Sequence, residues 1–135
     1  MEQILIENDI PVCRVKASSF PAGIKAAHEK VHTLFPPNGI RKYYGISHGG
    51  GKGEIHYWAA VSGKPAESDQ KDVTDNFVIR KGKYISIHIK NWMANENSVA
   101  QAFQQLLQHN GIDPDGYCLE EYPNETDIRC SVPLL

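Results

Sequence analysis

Nothing in this sequence is extreme, and each shortage excludes something. Charge is nearly balanced, with 14 Lys and Arg against 16 Asp and Glu and a net charge of −2. No basic field therefore marks the chain for direct nucleic-acid binding or for an anionic membrane surface. No apolar run approaches the roughly 20 residues that span a bilayer. The start, Met1-Glu2-Gln3-Ile4-Leu5-Ile6-Glu7, lacks the basic stretch and long apolar core of a secretory signal. There are only three cysteines, Cys13, Cys118 and Cys130, with no C-x-x-C spacing. An odd count argues against a disulfide framework, and their strand-like apolar settings suit buried free thiols in a reducing compartment. These readings together predict a cytoplasmic protein that works without membrane or nucleic-acid contact.

What is present fits one α+β domain of 135 residues, long enough to bury a core unaided. Displacing the sequence by 72 positions lays Asn38-Gly39-Ile40 on Asn110-Gly111-Ile112. The same shift lays Leu34 and Phe35 on Leu106 and Leu107, Phe20 on Trp92, and Cys13, Val15 and Ala17 on Ile85, Ile87 and Ile89. Apolar character is kept through a strand and a helix in the same order. The pattern predicts an internal repeat with halves at about 10–62 and 77–133, each reading strand, helix, strand, strand.

Strict alternation predicts strands over Val12 to Ala17 and Tyr84 to Ile89. A first helix is expected from about Pro21 to Phe35, stopped by Pro36-Pro37. A second is expected from about Glu96 to Asn110, with Asn95 or Asn97 at its start and Gly111 past its end. Paired strands follow each helix: Lys42 to His48 with Glu54 to Ser62, and Tyr117 to Tyr122 with Thr126 to Val132. A glycine-rich hairpin loop (Gly49 to Gly53) joins the first pair. Gly63 to Asn76 reads as a polar surface connection, and a short strand at Phe77 to Arg80 precedes the Gly82 turn. Two amphipathic helices on one side of an antiparallel sheet leave the other side to be explained. With Ile55, Tyr57, Ala59 and Val61 toward a helix, His56, Trp58 and Ala60 take the far side. With Tyr117 and Leu119 toward a helix, Cys118, Glu120 and Tyr122 do so. A face carrying Trp, Tyr and a carboxylate resembles a binding pocket.

Two tempting motifs are set aside. His28-Glu29-Lys30-Val31-His32 is a literal H-E-x-x-H, which on a helix holds zinc between its histidines. Lys30 puts a charge inside it, and no later helix offers a third ligand. We therefore read His28 as an edge-of-core residue, His32 as its neighbour, and expect no metal or other cofactor. Gly49 to Gly53 contains Gly-Lys, yet a P-loop needs Ser or Thr next and then a helix, not a strand. Glu120 and Glu121 are adjacent in a strand, so they point to opposite faces and are no acid/base dyad. An inward Glu120 among aromatic rings would favour a cation.

Three stretches carry a family resemblance. Lys81-Gly82-Lys83-Tyr84, Glu120-Glu121-Tyr122 and Ile128-Arg129-Cys130-Ser131-Val132-Pro133, in this order, resemble the GyrI-like small-molecule-binding domains, the effector-binding domains of AraC- and MerR-type regulators. The resemblance runs from about Ile10 to the end. It implies two strand-helix-strand-strand units with a ligand cleft, and a buried glutamate, corresponding to Glu120, that helps bind cationic aromatic compounds of the multidrug type. Facing arguments add Tyr122, Trp58, Tyr44 and Trp92 as candidate walls. The segment after Tyr122 is shorter than in many members, and no DNA-binding region precedes the domain, so a stand-alone binding module is expected. A small hydrolase using Glu120 and a gyrase-inhibitor-like protein-interaction role are the alternatives.

Overall fold

In a computed structural model, which describes residues 1–49, 54–63, 74–95 and 97–135, the alternating segments form antiparallel strands and the two amphipathic segments form helices. In chain order the elements are β1 (Glu2–Ile6), β2 (Ile10–Lys16), α1 (Ile24–Leu34), β3 (Tyr43–Gly49), β4 (Ile55–Ser62) and β5 (Asp75–Ile79). They continue with β6 (Gly82–Ile89), a 3-10 turn at Trp92–Ala94, α2 (Ser98–Leu106), β7 (Cys118–Glu121) and β8 (Ile128–Pro133). The architecture is α+β. Most of the expected glycine loop, most of the 63–76 connection, and Glu96 lie outside the described residues. No described helix is long and apolar enough to cross a membrane.

The chain forms two compact units, Asp9–Arg80 and Met1–Asn8 with Lys81–Leu135. In the first, the strands pair antiparallel in the order β3, β4, β2, β5. Because strand side chains alternate, Cys13, Val15, Tyr57, Ala59 and Val61 all meet α1, which buries Ala27 and Val31 against them. The helix begins at Ile24, later than Pro21. The preceding residues close a turn, in which the Gly23 amide donates to the Ser19 carbonyl. It ends before Pro36, with the Phe35 amide donating to the Val31 carbonyl at 2.8 Å.

The H-E-x-x-H segment lies on this helix, with both histidines in contact with the sheet. His28 Nε2 shares a 2.7 Å hydrogen bond with Tyr57 Oη, and the His32 ring stacks on Tyr43 with centroids 4.0 Å apart. Burial, with some repulsion from His32, pushes the His28 pKa down to about 4.

In the second unit the order is β1, β6, β8, β7. Here α2 buries Ala102 and Leu106 on Ile85, Ile128, Cys130 and Val132. The helix is shorter than expected at both ends. Asn97 precedes it without a side-chain cap, and Gly111 takes the left-handed conformation (φ +87°) beyond it.

Two strands fall outside the expected division. β1 has no counterpart in the expected pattern, because Ile4-Leu5-Ile6 runs without alternation; it pairs with β6. The segment from Phe77, read as a preface to the second half, belongs to β5 and pairs with β2 in the first unit.

Sinking a neutral histidine into the core makes stability depend on pH. An unfolded chain protonates His28 near its ordinary 6.5, the folded one only near 4. Between those values the unfolded state holds the extra proton, so stability is lost as pH falls through that window. In urea titrations, lowering the pH from 7 to 5 should cost the wild type about 2 kcal/mol more than it costs His28→Gln. Equal losses in both proteins would refute this account.

Candidate functional site

The end of β6 shows why Trp92 lies beside the last hairpin. Asp127 Oδ2 accepts from His88 Nε2 at 3.0 Å and from Asn124 Nδ2 at 3.2 Å, while Thr126 Oγ1 donates to Oδ1 at 3.0 Å. These bonds, chiefly that from His88, hold the Asp127 carboxyl well below the usual carboxylate range. The Trp92 amide then donates to the Thr126 carbonyl at 3.2 Å. The indole comes to rest 6.2 Å from the Tyr122 ring, centroid to centroid. Tyr122 Oη donates to Glu120 Oε1 at 2.8 Å. Glu120, Tyr122 and Trp92, all half-buried, thus form one contiguous set within one unit.

Their face is the opposite of the expected one. Glu120 is paired with Cys130 and Leu119 with Ser131, and directly opposed residues share a face. Cys130 belongs to the core under α2, with Cys118 and Tyr122 packed against it, so Glu120 lies on the α2 side. Consistent with this, burial first and then the Glu120 charge push the Cys130 thiol up. Tyr117 and Leu119 take the other side. Leu119 and Tyr117 are buried there all the same.

That other face holds residues the sequence reading did not select. Tyr84 and Tyr117, both buried, join their hydroxyls in a hydrogen bond. Ser86 and Ser131 are fully buried beside them, and Ser86 Oγ donates to the Glu2 carbonyl at 3.2 Å. Glu121 Oε2 lies 3.9 Å from Arg129 Nη1. The clue available in the sequence was the parity of Tyr84 and Ser86 within a strand that carries isoleucine at 85, 87 and 89.

Trp58 and Tyr44 belong to the first unit. Both occupy the face away from α1, as expected, since Tyr44 opposes Ala60 and Trp58 opposes Ile46. Trp58, however, already has a cation. The Arg14 guanidinium lies 4.1 Å from its ring centre and 4.5 Å from that of Phe77, while Arg14 Nε donates to Asp75 Oδ1 at 2.8 Å. His48 stacks on the same indole at 4.8 Å. The ring is a packed support for Arg14 rather than a bare wall. Among the described residues no group of three His, Cys, Asp or Glu is placed to hold a metal ion.

Neither protein-family models nor curated proteins give a match to the chain. Solved structures do, at the level of fold. An integron cassette protein from the mobile metagenome of Vibrio cholerae aligns with a TM-score of 0.65 and 15% identity, over 99% of this chain and 95% of its own. SAV2435, solved bound to tetraphenylphosphonium, aligns at 0.70 and 14% identity, over 100% of this chain and 94% of its own. EcmrR, solved in a complex with DNA, aligns at 0.62 and 14% identity, over 98% of this chain but 57% of its own.

The Tyr122 hydroxyl donates to the Glu120 carboxylate. Tyr122→Phe keeps the ring and removes the bond, so it should lower unfolding stability by about 1 kcal/mol. Urea denaturation at pH 7 measures this; an unchanged midpoint would show that water replaces the hydroxyl at no cost.

Proposed function

We propose that the chain is a single GyrI-like effector-binding domain that takes up a small aromatic cation. The observation that carries this reading is the Glu120 carboxylate, oriented by the Tyr122 hydroxyl and flanked by Trp92. A carboxylate and the faces of aromatic rings both favour positive charge, and partial burial strengthens each attraction. Glu120 would supply the counter-charge, Tyr122 its orientation, and Trp92 an apolar surface for the ligand's rings. The fold shared with SAV2435, which was solved with an organic cation bound, supports the ligand class.

A second reading has one observation in its favour. Glu121 occupies the opposite face, the one that also carries the Tyr84–Tyr117 hydroxyl pair, although Arg129 already stands 3.9 Å from its carboxylate. The two glutamates give opposite forecasts for one titration.

Tetraphenylphosphonium should bind the wild type in isothermal titration calorimetry and a neutral analogue of similar size should not. Glu120→Gln should weaken the cation at least tenfold, while Glu121→Gln should leave it within about twofold, given a charge contact worth more than 1.4 kcal/mol. The reverse ranking transfers the site to Glu121. No preference for the cation in any of the three proteins would sink both readings.

A further inference from the structure

Within the Asp9–Arg80 unit, β4 outruns its neighbour β2. Its backbone groups alternate between neighbours: the Ser62 amide donates to the Lys42 carbonyl on the β3 side, and the next amide, Gly63, to Pro11 on the β2 side. Odd-numbered positions therefore bond toward β2, and the last such bond runs from the Ala17 amide to the Tyr57 carbonyl at 2.8 Å. Beyond Ala17 the chain leaves the sheet for the turn before α1, in which the Gly23 amide donates to the Ser19 carbonyl. β4 continues back to Ile55, which is still opposite Gly49 of β3. In an antiparallel ladder, residues two apart bond in the same direction. The amide and carbonyl of Ile55 thus point to the side that β2 has vacated, and among the described residues neither has a partner there. A groove of about 410 Å³ fills the space between the diverging segments, lined by residues 16–20 and 54–57.

The side chains around this gap fall on two faces of the sheet. Ile55 and Tyr57 take the α1 side, where the Phe20 ring stands 6.2 Å from that of Tyr57. Phe20 and Ile55 are 43% and 47% exposed. Lys16, His56 and Glu54 take the Trp58 side. Lys16 is directly opposite Trp58, with its ammonium 5.6 Å from the ring centre, and Glu54 Oε2 lies 3.8 Å from His56 Nε2. Among the described residues Lys16 has no carboxylate within salt-bridge distance, and the Glu54 side chain is 68% exposed. One compact molecule cannot touch both faces. An extended chain does so by construction, because its side chains alternate.

We propose that this gap docks an extended segment of a partner protein, which prolongs the line of β2 as an added antiparallel strand. Its sequence is acidic, apolar, basic, in that order. The apolar residue lies opposite Ile55, exchanges two backbone hydrogen bonds with it, and sets its side chain against Phe20 and Ile55 on the α1 side. The residue before it lies opposite His56 on the Trp58 side, where an acidic group meets the unmatched Lys16 ammonium. The residue after it lies opposite Glu54, where a basic group meets that carboxylate. Direction fixes the order, since a strand antiparallel to β4 runs from His56 toward Glu54. In strand addition the backbone bonds supply affinity and the alternate side chains supply selection. The site is independent of Glu120.

The probe is the peptide Glu-Leu-Lys, acetylated and amidated at its ends, titrated into the isotope-labelled full chain. The Ile55 amide resonance should shift saturably and its hydrogen exchange should slow. N-methylation of the peptide's leucine removes the donor to the Ile55 carbonyl and should weaken binding by about fivefold or more. The reversed peptide, Lys-Leu-Glu, should bind about fivefold or more weakly as well, since both charge contacts become repulsive. In the double variant Lys16→Glu with Glu54→Lys this preference should invert. Both positions are exposed, so the variant should fold, as far-UV circular dichroism would confirm. Glu120→Gln should leave every titration unchanged, which keeps the outcome separate from that of the cation site. The proposal is overturned by an Ile55 resonance that does not respond, by equal binding of the N-methylated peptide (the mark of a merely apolar pocket), or by a charge order that fails to matter or to invert. An Ile55 resonance that shifts with protein concentration alone would assign the gap to a second copy of the chain and equally overturn it.

Discussion

Everything that bears on function here depends on the two-residue period of a strand combined with its register. Side chains alternate, so the pairing of Glu120 with Cys130 fixes not one residue but the whole of β7: Cys118 and Glu120 on the α2 side, Leu119 and Glu121 on the other. A slip of one position would exchange every group between faces. It would carry a carboxylate out of contact with Cys130 and put leucine in its place. The same constraint acts in β4, where Tyr57, Ala59 and Val61 meet α1 and Trp58 is left to support Arg14.

Both faces of these strands are buried, and that changes what the polar residues must do. A buried charge or hydroxyl is tolerable only when partnered. Tyr84 and Tyr117 share a hydrogen bond between their hydroxyls; Tyr57 and His28 share one across the helix–sheet boundary. Arg14 uses Nε and Nη2 on Asp75 and lays its plane between two rings. That contact suits a planar, weakly hydrated guanidinium better than an ammonium. The histidines at 28 and 32, which read on paper as a metal motif, belong to the same class: one is a hydrogen-bond partner to a tyrosine, the other a stacking surface.

Legibility in the sequence followed from how many faces an element buries. Where a strand had a polar side, as in Val12 to Lys16, alternation assigned its inward set, Cys13 and Val15, correctly, and the helix stripes of Ala27 with Val31 and Ala102 with Leu106 were equally plain. In β7 both sides carry large buried groups, so apolarity had no power to choose between Leu119 and Cys118, and the orientation came out reversed. β1 has three consecutive apolar residues and no period at all. β5 showed its strand character but not its partner, because pairing with β2 is a contact between distant parts of the chain that no local pattern encodes. The turn at Asp127 was invisible for a different reason. Its importance lies in converging bonds from the His88, Asn124 and Thr126 side chains and from the Asn91 amide, which donates to Asp127 Oδ1 at 3.4 Å, and only the fold brings these together.

The adjacent glutamates show how chemistry can diverge without any change in residue type. Glu121 faces Arg129 across the β7–β8 ladder, so a cation arriving there must compete with a charge already in place. Glu120 accepts a hydrogen bond from Tyr122, a neutral phenol, and its cross-strand neighbour Cys130 is a thiol that burial keeps protonated. A neutral donor orients a carboxylate without neutralising it, whereas an arginine does both. Glu120 and this donor lie on the α2 side of the sheet, where the aromatic surface comes from Trp92 and Tyr122 and not from the tyrosine pair.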